Sequence, residues 1–165
     1  MKRWQWLIWL LGVGVLVVGC QMASDESLTA VSSVTPAIPP LPTLDPDKIA
    51  LGEQIYITHC ASCHGANLEG QPNWKEQNED GSFRAPPHDA SGHTWHHADS
   101  LLVESVMLGG ARFERMNIGG TSNMPAFGEI LTDGEIAAVL TYIKSTWPEP
   151  TRVTQWEVTV MTEQQ

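Results

Sequence analysis

Cys60-Ala61-Ser62-Cys63-His64 is the stretch from which the rest of the chain can be read. Two thiols stand three positions apart and an imidazole follows directly. The two vinyl groups on one edge of a haem need two thiols at such a short, fixed separation to become thioethers. The next residue then lies under the iron and can offer a neutral imidazole nitrogen. The pattern predicts one covalent haem c on Cys60 and Cys63, with His64 as a metal ligand. A bare C-x-x-C has two other chemical uses, a thioredoxin-like redox pair and half of a zinc site. The first needs a helix start inside a βαβ unit, and no parallel-strand pattern surrounds these residues. The second needs a further ligand pair, which only the later histidines could supply.

The third cysteine closes a different stretch. Lys2 and Arg3 precede the almost wholly apolar residues 4–18, and Val17-Val18-Gly19-Cys20 follows. Charge, apolar run and a small residue at the cut are the grammar of a signal peptide. A cysteine just after the cut resembles the lipobox of bacterial lipoproteins, with valine at Val17 where leucine is usual. That resemblance implies removal of residues 1–19 and lipidation of Cys20. The other reading is an uncleaved anchor, although the run is short beside the roughly 20 residues of a spanning helix. Both readings place the remainder outside the cytoplasm, held to a membrane.

Charge narrows the partners. The chain has nine Lys+Arg against nineteen Asp+Glu, formally −10. Loss of Lys2 and Arg3 with the signal would leave seven cations against the nineteen acidic residues, −12 in all. Nucleic acid and bare anionic membrane are both repelled by such a surface, so the lipid must supply the membrane affinity. Extracytoplasmic redox proteins with basic docking faces are the complementary partners.

Residues 20–44 are rich in Ser, Thr, Ala and Pro and read as a tether, reaching roughly 25–30 Å root-mean-square if flexible. Asp45-Pro46 is a cap followed by a favoured first helical residue, and Ile49, Gly52, Ile55, Tyr56 and His59 continue at helical spacing to about Thr58. Gly52 inside that helix points to a close crossing. Residues 71–92 form a long polar stretch in which Trp74 and Phe83 either cover a haem edge or anchor the loop. A helix over 98–108, with Leu101, Leu102, Val106 and Met107 as buried candidates, ends at Gly109-Gly110. Thr132-Asp133-Gly134-Glu135 is a capping box, followed by the stripe Ile136, Val139, Leu140, Ile143, Trp147 and a stop at Pro148. Residues 151–165 alternate weakly and are expected to be an extended strap or a disordered tail. The domain is expected over 45–150, with 151–165 as a C-terminal extension.

From these residues the chain resembles a class I c-type cytochrome, a monohaem bacterial one in lipoprotein form. The resemblance rests on the Cys60–His64 motif, on Met124-Pro125-Ala126-Phe127, and on Leu131-Thr132-Asp133-Gly134-Glu135-Ile136 leading to Tyr142-Ile143. It implies a small all-α domain of three to four helices with long loops around one covalent haem. Its first and last helices would cross at Gly52 and Tyr142. It also implies Met124 as the second axial ligand and a proline carbonyl, Pro86 of Ala85-Pro86-Pro87, as acceptor for the proximal histidine. Met107 reads as core, and Met116 lies outside any matching motif. Trp95 is either a propionate donor through its indole N–H or a buried ring. His88, His93, His96 and His97 fall within ten residues. They could form a copper or zinc site, or hydrogen-bond propionates or one another.

A thioether opposite an imidazole closes both axial positions of the iron and raises its potential relative to a second histidine. The function so implied is electron transfer. No acid/base or nucleophile constellation supports a hydrolase or transferase. Two other readings use the same residues. Without Met124 the iron would be open, as in a small-ligand sensor or weak peroxidase; with the histidine cluster as the site, the protein would handle copper or zinc.

Overall fold

A cap and a proline start the first helix where their order predicts. The computed structural model describes residues 38–117 and 119–165. The expected signal peptide, Cys20 and residues 21–37 of the tether lie outside the described residues. Helix α1, Pro46–His59, has the Asp45 carboxylate accepting from the Asp47 amide at 2.9 Å, with Pro46 in the first turn, where a missing N–H costs nothing. Cys60 caps this helix, and a single further turn, α2 (Ala61–His64), carries Cys63 and the imidazole.

The partner of α1 is α5, Asp133–Ser145. Its capping box is complete: the Thr132 hydroxyl accepts from the Glu135 amide at 3.3 Å, and the Glu135 carboxylate accepts from the Thr132 amide at 2.8 Å. Ile136, Val139, Leu140, Ile143 and Trp147 are all buried, each contributing about 1.5–3 kcal/mol on transfer from water. The two helices cross at Gly52, where a Cβ would overlap the Ala138 carbonyl oxygen and crowd Tyr142 Cβ. Gly52 therefore trades helix propensity for backbone contact. Tyr56 and Tyr142 meet beside the crossing with ring centroids 5.5 Å apart.

Between these helices lie α3 (Asp99–Leu108), α4 (Ala111–Arg115) and long loops. Of the apolar residues expected to be buried on α3, Leu102 is buried and Leu101 and Val106 are half-buried, but Met107 is 36% exposed. Met107 sits in the last turn, where its carbonyl rather than its side chain is engaged, accepting from the Gly128 amide at 3.1 Å. The long polar stretch is organised by two-residue strands. Strand β1, Ser82–Phe83, pairs in parallel with β2, Thr121–Ser122, in the register Ser82↔Thr121 and Phe83↔Ser122.

The C-terminal segment corrects the sequence reading. It is neither a strap nor disordered but α6, Glu149–Glu163, so the described helices exceed the expected three to four. Its buried residues are Gln155, Thr159 and Val160. Gln155 Nε2 reaches the His97 carbonyl at 3.1 Å, Asp99 Oδ1 at 2.6 Å and Thr159 Oγ1 at 3.0 Å. The Asp99 amide donates to Thr159 Oγ1 at 3.1 Å, and Lys144 pairs with the Asp99 carboxylate. The inner face of this helix mixes Gln155 and Thr159 with Val160, and its Val and Thr residues mimic a strand. The end of the expected tether lies along this helix too, with Trp156 Nε1 donating to the Pro39 carbonyl at 2.8 Å. The fold is the small all-α domain expected. Among the described residues, no helix is long and apolar enough to cross a membrane.

The crossing gives a prediction of sign. Alanine gains about 1 kcal/mol over glycine in a free helix, but Gly52→Ala should lose about 2 kcal/mol or more through overlap with α5. Gly134→Ala, whose nearest neighbour is Thr132 Oγ1 at 4.0 Å, should not. Urea unfolding followed by circular dichroism measures both, and a Gly52→Ala protein as stable as its parent would contradict the crossing.

Candidate functional site

The cap of α1 delivers the Cys60 thiol, and α2 presents Cys63 and turns the imidazole inward. His64 is 7% exposed, and its ring nitrogen Nδ1 lies 2.9 Å from the Pro86 carbonyl oxygen. A carbonyl can only accept, so Nδ1 carries the proton and Nε2 keeps its lone pair. Burial lowers the basicity of this imidazole, and the Pro86 bond opposes that shift only in part. Below the ring, the Tyr56 hydroxyl donates to the Gly65 carbonyl at 2.9 Å and lies 3.3 Å from the His64 carbonyl. Tyr56 is fully buried, and burial raises its phenol well above the ordinary range.

His88 contacts the same imidazole through its face. The two rings stack with centroids 4.0 Å apart and planes 22° apart. His88 is fixed in turn: Nδ1 lies 2.8 Å from Thr94 Oγ1, its amide donates to the Leu68 carbonyl, and its carbonyl accepts from Trp147 Nε1 at 2.7 Å. The Thr94 hydroxyl donates to Pro87 O at 3.3 Å, so it receives its proton from His88. Burial and the neighbouring His64 and His93 push the His88 imidazole well down, which keeps it neutral. Neither Tyr56 nor His88 stood out in the sequence as a partner of His64. Tyr56 had only its helical spacing, and the stacking of His88 depends on the turn between Pro86 and Thr94.

The thiols differ in environment. Cys63 is exposed, whereas Cys60 is half-enclosed against the core, and its thiol is pushed up to about 11 by burial and then by Cys63. Reactive redox cysteines and zinc ligands need an easily formed thiolate, and Cys60 is the reverse. A neutral thioether suits its surroundings. No group of three or more His, Cys, Asp or Glu side chains among the described residues is arranged to hold a metal ion. The four clustered histidines are instead engaged with rings. His93 lies flat on Trp74 with centroids 5.2 Å apart, His96 lies on Trp95 at 3.7 Å, and His97 meets His93 edge-on at 5.4 Å. Trp74 is thus an anchor within its loop. Phe83 meets Phe113 with centroids 5.7 Å apart and is 38% exposed.

Among the described residues, two buried side-chain nitrogens have no hydrogen-bond partner, Trp95 Nε1 and His93 Nδ1. Such atoms carry a desolvation cost unless something accepts from them. Trp95 also packs on the core cluster together with Cys60 and Met124. An orphan indole N–H on the core cluster that also packs Cys60 and Met124, together with the uncommitted Nε2 of His64, fits a haem, whose carboxylates are acceptors. Met124 is half-buried, with its amide 3.3 Å from Ser122 Oγ and its carbonyl accepting from the Gly110 amide at 2.8 Å. Met116 is 45% exposed and lines a cavity of about 400 Å³ with His96, His97 and α6 residues.

A helical domain with this motif just after its first helix, closed by α5 crossing that helix at a glycine, defines a protein that carries haem through thioethers. The cytochrome c family model matches residues 49–147. The chain belongs to the cytochrome c family, and it holds one haem c through Cys60 and Cys63. It is similar to the cytochrome c6 of Diacronema lutheri, at 31% identity over 101 residues that cover 59% of this chain and 94% of that relative. No solved structure matches the chain.

The stacking can be separated from the hydrogen bond. His88→Leu removes both the ring face and the bond to Thr94 and should lower stability by about 2 kcal/mol. His88→Phe restores the face alone and should recover roughly half of that loss. Denaturant unfolding of the haem-loaded protein measures the difference, and equal losses would mean that the stack contributes nothing.

Proposed function

We propose that the protein is a membrane-tethered, extracytoplasmic electron carrier whose haem iron is held by His64 Nε2 and the Met124 thioether. The chain's membership of the cytochrome c family supports the carrier role. The observation that supports His64 as a ligand is its Nδ1 bond to Pro86 O at 2.9 Å. It fixes the tautomer and aims the free nitrogen, as a partner beyond the ligand itself does in metal sites. Bound here, the haem supplies a one-electron change at iron. The residues around it exclude other chemistry. His64 and Met124 together would hold the iron and leave no ligand position open to a substrate. Tyr56 and His88 hold the imidazole still between oxidation states, and Trp95 and His93 offer donors to the haem carboxylates.

Tethering is supported by Lys2, Arg3, the apolar residues 4–18 and Cys20. A lipid on Cys20 would keep the domain close to membrane-bound redox enzymes and raise its effective concentration there. The strongly acidic surface favours partners with basic docking faces.

Met124→Ala should leave the haem attached through Cys60 and Cys63 and the fold mostly intact. The iron should become high-spin or bis-histidine, its potential should fall, and carbon monoxide should bind where it did not before. Met116→Ala should leave the absorption spectrum of the ferric protein nearly unaltered. The reverse pattern would make Met116 the ligand, and two silent variants would remove thioether ligation altogether.

Anchor and charge can be tested in one preparation. Cys20→Ser should leave uncleaved precursor or release soluble protein rather than a processed, membrane-held form. Electron transfer from the released protein to a basic redox protein should slow steeply as salt rises. Normal membrane retention would end the lipoprotein reading, and a rate flat in ionic strength would end the basic-partner reading.

A further inference from the structure

The residues 71–92 and the segment bearing Met124 are joined by a small, saturated polar cluster. The turn at 78–82 is tight: the Asn78 amide donates to the Ser82 carbonyl at 2.8 Å, the Gly81 amide to the Asn78 carbonyl at 3.0 Å, and Gly81 has φ +80°. This turn places Ser82, 1% exposed, against β2. The Ser82 hydroxyl donates to Asp80 Oδ1 at 2.6 Å and accepts from Asn78 Nδ2 and Asn123 Nδ2, each at 3.0 Å. One donor and two acceptor positions are thereby filled. The second proton of Asn123 Nδ2 goes to Asp80 Oδ2, also at 3.0 Å. Bonds from Ser82 and then Asn123 hold the Asp80 carboxyl down to about 2, so it stays an anion and a strong acceptor.

Asn123 is the residue before Met124. On its other flank the Met124 segment is held by α3 and the glycines after it. Gly110 N donates to Met124 O at 2.8 Å, Phe127 N to Val106 O at 3.0 Å, and Gly128 N to Met107 O at 3.1 Å. A Cβ at Gly109 would collide with the carbonyl oxygens of Met124 and Pro125. The segment is clasped from both sides, and one clasp belongs wholly to the long loop.

We propose that Asp80, Ser82 and Asn123 are positioning residues that hold the Met124 thioether at the iron and slow its replacement by an outside ligand. The proposal rests on Met124 being the second axial ligand. Its physical content is a coupling. Withdrawal of the thioether needs the backbone at 123–124 to move, and that movement breaks two bonds of Asn123 and unsaturates Ser82. The cluster therefore adds to the cost of an open iron and keeps the site closed to substrates.

The test is titration of the ferric holoprotein with imidazole, read from the weak far-red charge-transfer band that only a thioether-bound ferric haem shows. Asn123→Ala and Asp80→Ala should each bind imidazole about tenfold more tightly than the parent, the size expected for one hydrogen bond in the coupling. The double variant should fall well short of the product of the two effects, because both remove the Asn123–Asp80 bond and disturb the same Ser82 hydroxyl. Gln155→Ala loosens the α6 network without touching this segment and should leave imidazole affinity unaltered. Unaltered affinity in Asn123→Ala and Asp80→Ala, with the band present in the parent, overturns the clamp alone. An equal shift in Gln155→Ala overturns it as well, since the effect would then be general loosening. Absence of the band in the parent overturns Met124 ligation and the clamp together.

Discussion

Backbone contact between α1 and α5 at Gly52 is the constraint from which the rest follows. The crossing seats the inner face of α1 against Ala138 and Tyr142, and the thiols and His64 ride on the next turns. Every later feature of the site assumes that placement. Tyr56 can reach the His64 and Gly65 carbonyls only from a helix pressed against α5. Pro86 and His88 can meet the imidazole only if it points inward. Phe127 and Leu131, both buried, carry the chain from Met124 into the capped start of α5. A helix pair of this kind tolerates little change at its crossing because interiors are close-packed.

Away from that apolar seam the domain is held by polar groups. Gln155, Thr159, Asp99 and Lys144 join α6 to the starts and ends of two other helices. An acid in the first turn of α3 and a cation in the last turn of α5 also suit the dipoles of those helices. Asp80, Ser82 and Asn123 do the same service between loop and loop. A domain of this size has limited apolar area to bury, and saturated hydrogen bonds supply uniqueness where area is short. Their weakness is asymmetric: loss of one partner leaves the others desolvated and unpaired.

What could be read from the sequence was local. Asp45-Pro46 and Thr132–Glu135 are start signals complete within four residues, and the stripe from Ile136 to Trp147 repeats at a single period, so α1 and α5 were legible to within a residue or two. The haem motif was legible because thioether chemistry fixes its spacing. Features made by distant residues were not. The ring stack of His88 on His64 spans a turn whose shape no local pattern encodes. The pairing of Ser82 with Thr121 joins residues far apart in the chain. Helix α6 was hidden for another reason: two of its three buried side chains, Gln155 and Thr159, are polar, and its Val and Thr residues read as a strand, although Pro150 in its first turn is a start signal.

The bond from Trp156 to Pro39 has a mechanical side. A protein drawn from its N-terminal side takes the load first at the residues before Asp45. A pull at Ile38 meets the indole clasp on Pro39 before it meets the Asp45 cap, and the force is shared with α6 and, through Gln155, with the start of α3. The junction works like the strain relief on a cable. Part of the tension is diverted into a peripheral helix before the rest passes along the chain to α1 and its crossing.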